Sequence, residues 1–263
     1  MGVVLLHEPL AEVRRYVQLR VETDYVMPLW LPFLPYILLL VGVVGFVAGL
    51  ILTSVTHSPL LVLGLTGLFL VLTVIGAVVN IYVVYKWVKR RNEHFKRRLL
   101  LTEALLELAK TLSDKIGKDA TPLLREIERE LREARYDESE KNAVLWALIQ
   151  LIPYIGGILM FYVYHFLNRD FLGHFRREVR IIEAFRRVFT ELGAPYFPTF
   201  TWGYSFPDRS TVLYIVLTLL TAGLFGLYWI YTLTKDPNEH FKEHLTMERE
   251  MLDVLEALVR STG

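Results

Sequence analysis

Residues 210–241 read STVLYIVLTLLTAGLFGLYWIYTLTKDPNEHF, an uncharged segment of membrane-grade hydropathy that runs directly into a charged one. The same order of residue types occurs twice earlier, in residues 60–95 (LLVLGLTGLFLVLTVIGAVVNIYVVYKWVKRRNEHF) and residues 142–175 (NAVLWALIQLIPYIGGILMFYVYHFLNRDFLGHF). Aligned on His94-Phe95, His174-Phe175 and His240-Phe241, the copies match without gaps over many offsets, which chance does not easily produce. Twelve residues before each histidine stand Tyr82, Tyr162 and Tyr228, and nine before it Tyr85, His165 and Tyr231. Small pairs lie further upstream at Gly76-Ala77, Gly156-Gly157 and Ala222-Gly223. Downstream, Leu105, Phe185 and Met251 fall in step, as do Leu108, Val188 and Val254, then Leu112, Leu192 and Leu258. The spacing predicts one supersecondary unit used three times, with the tyrosines and His-Phe pairs as structural hallmarks.

Composition sets the class. Apolar residues make up 53% of the 263 and the mean hydropathy is +0.36, while the 22% that are charged are confined to particular segments. That pattern predicts an all-α integral membrane protein with sizeable polar arms. Residues 27–85, 142–168 and 210–234 carry no Lys, Arg, Asp or Glu. The first, interrupted by a turn near His57 and Pro59, is long enough for two spans of about 20 residues, and the others for one each. A net charge of +1 gives no reason to expect nucleic acid as a partner, and the absence of cysteine removes disulfides, thiolate metal sites and a cysteine nucleophile. The first 26 residues carry Glu8, Arg14, Arg15, Arg20, Glu22 and Asp24, so no cleavable signal peptide is expected there.

In chain order, Pro9 to Glu22 has Leu10, Val13, Val17 and Val21 on one helical face and is expected to lie on the membrane surface. Pro28, Pro32 and Pro35 interrupt the backbone around Trp30 and Phe33, aromatic rings suited to headgroup depth. The first span, about Leu34 to Leu52, contains Gly45-x-x-x-Gly49, which either admits a neighbouring helix or reflects the ordinary frequency of glycine in membrane helices.

Lys and Arg number three before Pro28, none from Pro28 to Tyr85, fifteen from Lys86 to Lys141, seven from Arg169 to Arg209 and four after that. The positive-inside rule puts the turn at residues 56–59 outside and every other connection inside. Four single crossings would leave the seven basic residues outside and invert the middle copy. Both conflicts vanish if the second and third apolar stretches are re-entrant hairpins, broken at Pro153, Gly156 and Gly157 and at Gly223 and Gly226, with Gly76 the matching break in the first copy. Each arm would then reach only about half a bilayer. Four ordinary spans stand as the alternative.

After each apolar stretch a charged helix is expected to start, most plainly at Asp236 as N-cap with Pro237 and Glu239 behind it. These helices carry apolar stripes that can pack on one another or on another subunit. The segment Thr121 to Arg135 adds a further amphipathic helix, and Ala194 to Pro207, rich in proline and aromatics, reads as a loop held at the interface by Tyr196, Phe197, Trp202 and Tyr204.

No reaction is specified. His240-x-x-Glu243-His244 spells an inverted zinc-protease helix. The other copies carry Arg97 and Arg177 in place of Glu243, and Arg98 and Glu178 in place of His244, so neither a zinc site nor any other metal or cofactor is expected. The His-Phe pairs are instead expected to sit at the interface, with phenylalanine anchored and histidine reaching headgroups. No acid lies within an apolar stretch, which weakens an ion-coupled transporter, and His165 is the one ionisable candidate there.

In the third copy, Thr221, Gly223, Gly226, Tyr228 and Trp229 follow an apolar run, and this stretch resembles an uncharacterised prokaryotic short membrane domain whose hallmark is Thr-x-Gly followed by Tyr-Trp. The resemblance implies a membrane setting and no chemistry.

The expected organisation is an N-terminal helix (1–27), a first span (28–56), a first repeat (57–118), a connector helix (119–140), a second repeat (141–193), a loop (194–209) and a third repeat (210–263). The expected function is a non-enzymatic scaffold or membrane-shaping protein, multi-pass in the cell membrane with both termini cytoplasmic, whose partners are the lipid bilayer and further copies of itself or a membrane complex. A homo-oligomeric channel or carrier lined by the broken helices is the alternative.

Overall fold

The computed structural model describes residues 2–262, and among them every regular element is helical. Helix α1 (Gly2–Gln18) and the short α2 (Arg20–Thr23) lead to a 3-10 turn at Leu31–Phe33 and then to α3 (Leu34–Thr56). Helix α4 (Pro59–Ile116) follows, then α5 (Thr121–Asp137), α6 (Ala143–Leu148) with a 3-10 turn at Ile149–Leu151, α7 (Ile155–Glu191), α8 (Thr211–Leu220) and α9 (Leu224–Thr262). Two helices are long and apolar enough to cross a membrane, Leu31–Thr56 and Pro59–Ile116.

Three helical hairpins organise the chain: α3 with α4, α6 with α7, and α8 with α9. Each short arm starts or turns for a local reason. Asn142 caps α6 by accepting a hydrogen bond from Leu145 N at 3.0 Å, and Ser210 caps α8 by accepting one from Leu213 N at 3.3 Å. At the three tips stand His57 (φ 53°), Tyr154 (φ 63°) and Ala222 (φ 49°), the only non-glycine residues with positive φ among those described. An L-residue adopts that backbone only where the surrounding structure imposes it.

The second arms, α4, α7 and α9, run parallel, because the same succession of levels appears along each. Nearest the tips, Val83, Val163 and Trp229 share one apolar core with Trp87, Leu167 and Leu233. Beyond it lies a band of buried charge, and beyond that a second apolar core. This second core joins Leu105, Leu108 and Leu112 to Phe185, Val188 and Leu192 and to Met251, Val254 and Leu258. The three stripes therefore meet inside the chain, and their faces are not available to another subunit. Helix α5 completes the bundle with Leu124, Ile127 and Leu131.

Several expectations change. The expected boundary between residues 56 and 57 falls at the tip of one hairpin, made by α3 and α4. Gly76 does not break α4, which runs unbroken through it. A lone glycine without a nearby proline leaves the backbone ladder intact, and a Cβ there would stand 3.3 Å from Pro35 O, so Gly76 admits the start of α3 instead. Pro153 does lie in a turn, Gly156 would put a Cβ 2.8 Å from Gln150 O, and Gly223 turns at φ 94°. Gly226 lies against Thr218, while Gly157 has open space beside it. On α3, Gly49 is buried against Leu65, whereas Gly45 has no neighbour within 4 Å.

The charged helices do not begin anew, because α4, α7 and α9 are each continuous from tip to C-terminus. Asp236 is accordingly not an N-cap; it is buried and paired with Arg209. The N-terminal helix does not present its apolar face to lipid either. Leu10, Val13 and Val17 are buried in the second core, and only Val21 of that face is exposed. In the loop, Phe197 stacks on Phe189 at 5.0 Å and Phe206 is buried, leaving Tyr196 and Trp202 outward.

Candidate functional site

The band of buried charge between the two cores is the most unusual chemistry in the molecule, and the three recurrent histidines form its centre. His94 on α4, His174 on α7 and His240 on α9 are all buried, with ring centroids 5.2 Å apart for His94 and His174, 5.1 Å for His94 and His240, and 5.9 Å for His174 and His240. The expected interfacial role fails for a simple reason: three stems packed at one level turn equivalent positions toward one another, away from any headgroup. The phenylalanines close the arrangement in a cycle. Phe95 stacks on His174 at 4.1 Å, Phe175 meets His240 edge-on at 6.0 Å, and Phe241 lies 4.7 Å from His94. Each stem thus covers the histidine of the next. Tyr82, Tyr162 and Tyr228, one level nearer the tips, remain about half exposed.

Each imidazole is held at Nδ1 by an oxygen from the segment just ahead of its own hairpin. His94 Nδ1 donates to Asp24 Oδ1 at 3.0 Å, and His174 Nδ1 donates to Glu138 Oε2 at 2.9 Å. The Tyr204 hydroxyl lies 3.4 Å from His240 Nδ1. With Nδ1 occupied, the three Nε2 atoms turn inward around Glu178. Its Oε1 is 3.2 Å from His174 Nε2, and its Oε2 is 3.2 Å from His240 Nε2 and 3.1 Å from His244 Nε2. His94 Nε2 has no hydrogen-bond partner, whereas His174 Nε2 has the Glu178 carboxylate beside it. One ligating atom from each of His94, His174, Glu178 and His240 lies within 4.8 Å of all the others, and all four residues are buried.

Guanidiniums surround the centre. Arg97 donates to both Asp24 and Glu248, at 2.7 and 2.9 Å, and Arg98 reaches Glu178 and, at 2.9 Å, Glu248. Arg177 binds Glu138. Burial by itself would raise Asp24, but His94 and Arg97 hold its carboxyl far below the usual range. Burial likewise opposes ionisation of Glu178, and His174, His244 and Arg98 outweigh it and keep the carboxylate ionised. Burial pulls His94 well below the ordinary imidazole value, and burial with the neighbouring His244 takes His240 to about 4, so both rings are neutral. His174 is also pulled down by burial, but Glu138 and Glu178 raise it to about 9.

Arg98, Glu178 and His244 occupy the same register position on the three stems, and their disagreement in sequence is what lets them pair in space: one cation, one anion and one imidazole meet at a single level. Glu243, by contrast, accepts from Thr201 N at 3.4 Å at the surface of the band, so the inverted zinc-protease spelling does not converge. His165 pairs with Thr211 Oγ1 at 2.7 Å. The partners Asp24, Glu138 and Tyr204 escaped the sequence reading because they share no residue type. A common offset was there to find, since Glu138 precedes His174 and Tyr204 precedes His240 by the same 36 residues.

Residues 209–260 match a family model described as a domain of unknown function, DUF4234. The match covers α8 and nearly all of α9, and with them His240, His244 and Glu248. No curated protein and no solved structure matches the chain.

Proposed function

We propose that the chain is a non-enzymatic scaffold of the cell membrane, built from three copies of one hairpin unit, which inserts all three hairpins from the cytoplasmic face and shapes the bilayer around them. The observation that carries this reading is where exposed apolar side chains fall. Leu40 and Ile51 on α3, Leu60 and Val74 on α4, Ile158 beyond the second tip and Leu220 before the third are all exposed, and all lie at the tip end of parallel stems. A patch of that extent requires an apolar medium.

The arms differ in reach. At about 1.5 Å per residue, α3 extends about 34 Å, enough to cross, whereas α8 extends about 15 Å, or half the hydrocarbon core. Two half-depth hairpins beside one full-depth hairpin add volume to a single leaflet, which favours a curved bilayer. The scaffold reading gains over a channel because the polar side chains at that depth are already satisfied. Asn80 Nδ2 donates to Gln150 Oε1 at 2.6 Å, and the Thr73 and Thr218 hydroxyls donate to Phe69 O and Tyr214 O of their own helices at 2.8 and 2.7 Å. Self-association, if the scaffold assembles, has Gly45 on the open face of α3 at its disposal.

Single-cysteine variants of this cysteine-free chain at Ser58, Thr190 and Thr199, probed with a membrane-impermeant maleimide in sealed vesicles, test the topology. Labelling from outside at position 58 alone is expected. Outside labelling at 190 and 199 would give four ordinary spans and sink the hairpin reading.

A further inference from the structure

The buried histidine ring carries a more specific reading, independent of how the hairpins meet the membrane. We propose that His94, His174, Glu178 and His240 form a four-coordinate site for a divalent first-row transition metal, with zinc the best fit, which clamps the three stems together.

Three observations converge. The donor set is three imidazole nitrogens and one carboxylate, the ligand types that zinc takes in tetrahedral sites. The donors come from three helices, two of them, His174 and Glu178, one turn apart on α7. Tetrahedral bonds of about 2.0–2.1 Å set ligand atoms about 3.4 Å apart. Glu178 stands 3.2 Å from His174 through Oε1 and 3.2 Å from His240 through Oε2, and one donor atom from each of the four residues lies within 4.8 Å of the others, so closure needs side-chain movements on fixed helices.

The outer partners are the second observation. A metal-bound histidine ordinarily donates its other ring N–H to a carboxylate or another oxygen, which fixes the tautomer and aims the ligating nitrogen. All three rings have such a partner, in Asp24, Glu138 and Tyr204, and Arg98 holds Glu178. A histidine network serving only as a polar core would not need every Nδ1 tied down.

Third, His94 Nε2 is buried without a hydrogen-bond partner, an arrangement that native cores avoid unless a further ligand completes it. His244, 3.2 Å from His240 Nε2, stands by as a fifth donor.

The test uses the full chain in detergent, free of any polyhistidine tag, stripped with a chelator and titrated with Zn²⁺ and, as a spectroscopic probe, Co²⁺. One equivalent per chain is expected, with the intense visible bands of tetrahedral cobalt and a rise in Tm on loading. His94→Ala and His174→Ala should abolish stoichiometric uptake, while His57→Ala and His165→Ala should retain it. Because a ligand variant can fail to fold, Asp24→Asn is the decisive companion: it keeps all four ligands and should weaken affinity about 10–100-fold without changing the stoichiometry. The proposal is overturned if the wild-type chain takes up no stoichiometric Zn²⁺, Co²⁺, Fe²⁺ or Mn²⁺. It is equally overturned if folded ligand variants bind as tightly as the wild type.

Discussion

Pro237 sits in the interior of α9 and has no N–H to give, so the carbonyl of Leu233, one turn back, loses its helical partner. Arg90 of α4 supplies the missing donor, with Nη2 2.7 Å from Leu233 O and Nη1 2.9 Å from Asn238 Oδ1. The guanidinium is fully buried among neutral groups, and that burial lowers it to about 9. It still outperforms a neutral donor because a charge-assisted hydrogen bond is the stronger kind. Proline and arginine therefore form a couple across two stems. Arg90→Leu should destabilise the protein by about 1–3 kcal/mol, the cost of orphaning buried acceptors. Pro237→Ala restores the backbone donor, so the double variant should recover part of that loss. Thermal denaturation of the four proteins as a double-mutant cycle checks it, and strictly additive losses would separate the two residues.

At the scale of elements, the hairpins depend on how closely two arms approach, and the glycines divide cleanly on that criterion. Gly156→Ala should open the second hairpin, because its Cβ would overlap the carbonyls of Ile149 and Gln150, with a cost of about 1–3 kcal/mol. Gly157→Ala, one residue on and facing open space, should be neutral or stabilise α7 by up to about 1 kcal/mol through helix propensity. Equal losses for the two in thermal melts would remove the close-approach argument. These same elements show what a sequence gives away. Pro153 and Gly223 announced turns through backbone chemistry that acts locally, and the stripes announced buried faces. Gly76 misled because close approach and chain reversal call for the same residue, and only the neighbour, Pro35, distinguishes them. The continuity of α4, α7 and α9 was hidden in the same way. A cap signature at Asp236 and a helix interior rescued by a distant arginine are spelled alike. The ring was half legible: the histidines recurred and could be aligned, but their meeting depends on three stems running parallel, a long-range fact that no spacing along the chain encodes.

Taken whole, the molecule places a polar bundle at one end and three apolar tips at the other, joined by a band where nearly every charge has an opposite within reach. Division of labour follows. Leu220→Lys, at an exposed position before the third tip, should leave the unfolding free energy of the detergent-solubilised protein within about 0.5 kcal/mol of wild type, as surface changes do. The same change should abolish tubulation of liposomes, since a lysine at that depth opposes insertion by roughly 2.5–3.5 kcal/mol. Undiminished tubulation would mean that the third tip does not enter the bilayer.

The cycle of Phe95 on His174, Phe175 on His240 and Phe241 on His94 has a consequence for biosynthesis. A ribosome delivers the chain from one end, and each histidine finds its Nδ1 partner as soon as its own unit has emerged, because Asp24, Glu138 and Tyr204 all precede the histidines they hold. The cover of His94 is Phe241, made 147 positions later. Until then, two hairpins stand with an uncapped imidazole between them. Translation that halts anywhere before residue 241 therefore yields a nascent chain with an unsealed polar seam, open to the quality-control machinery that removes unfinished proteins.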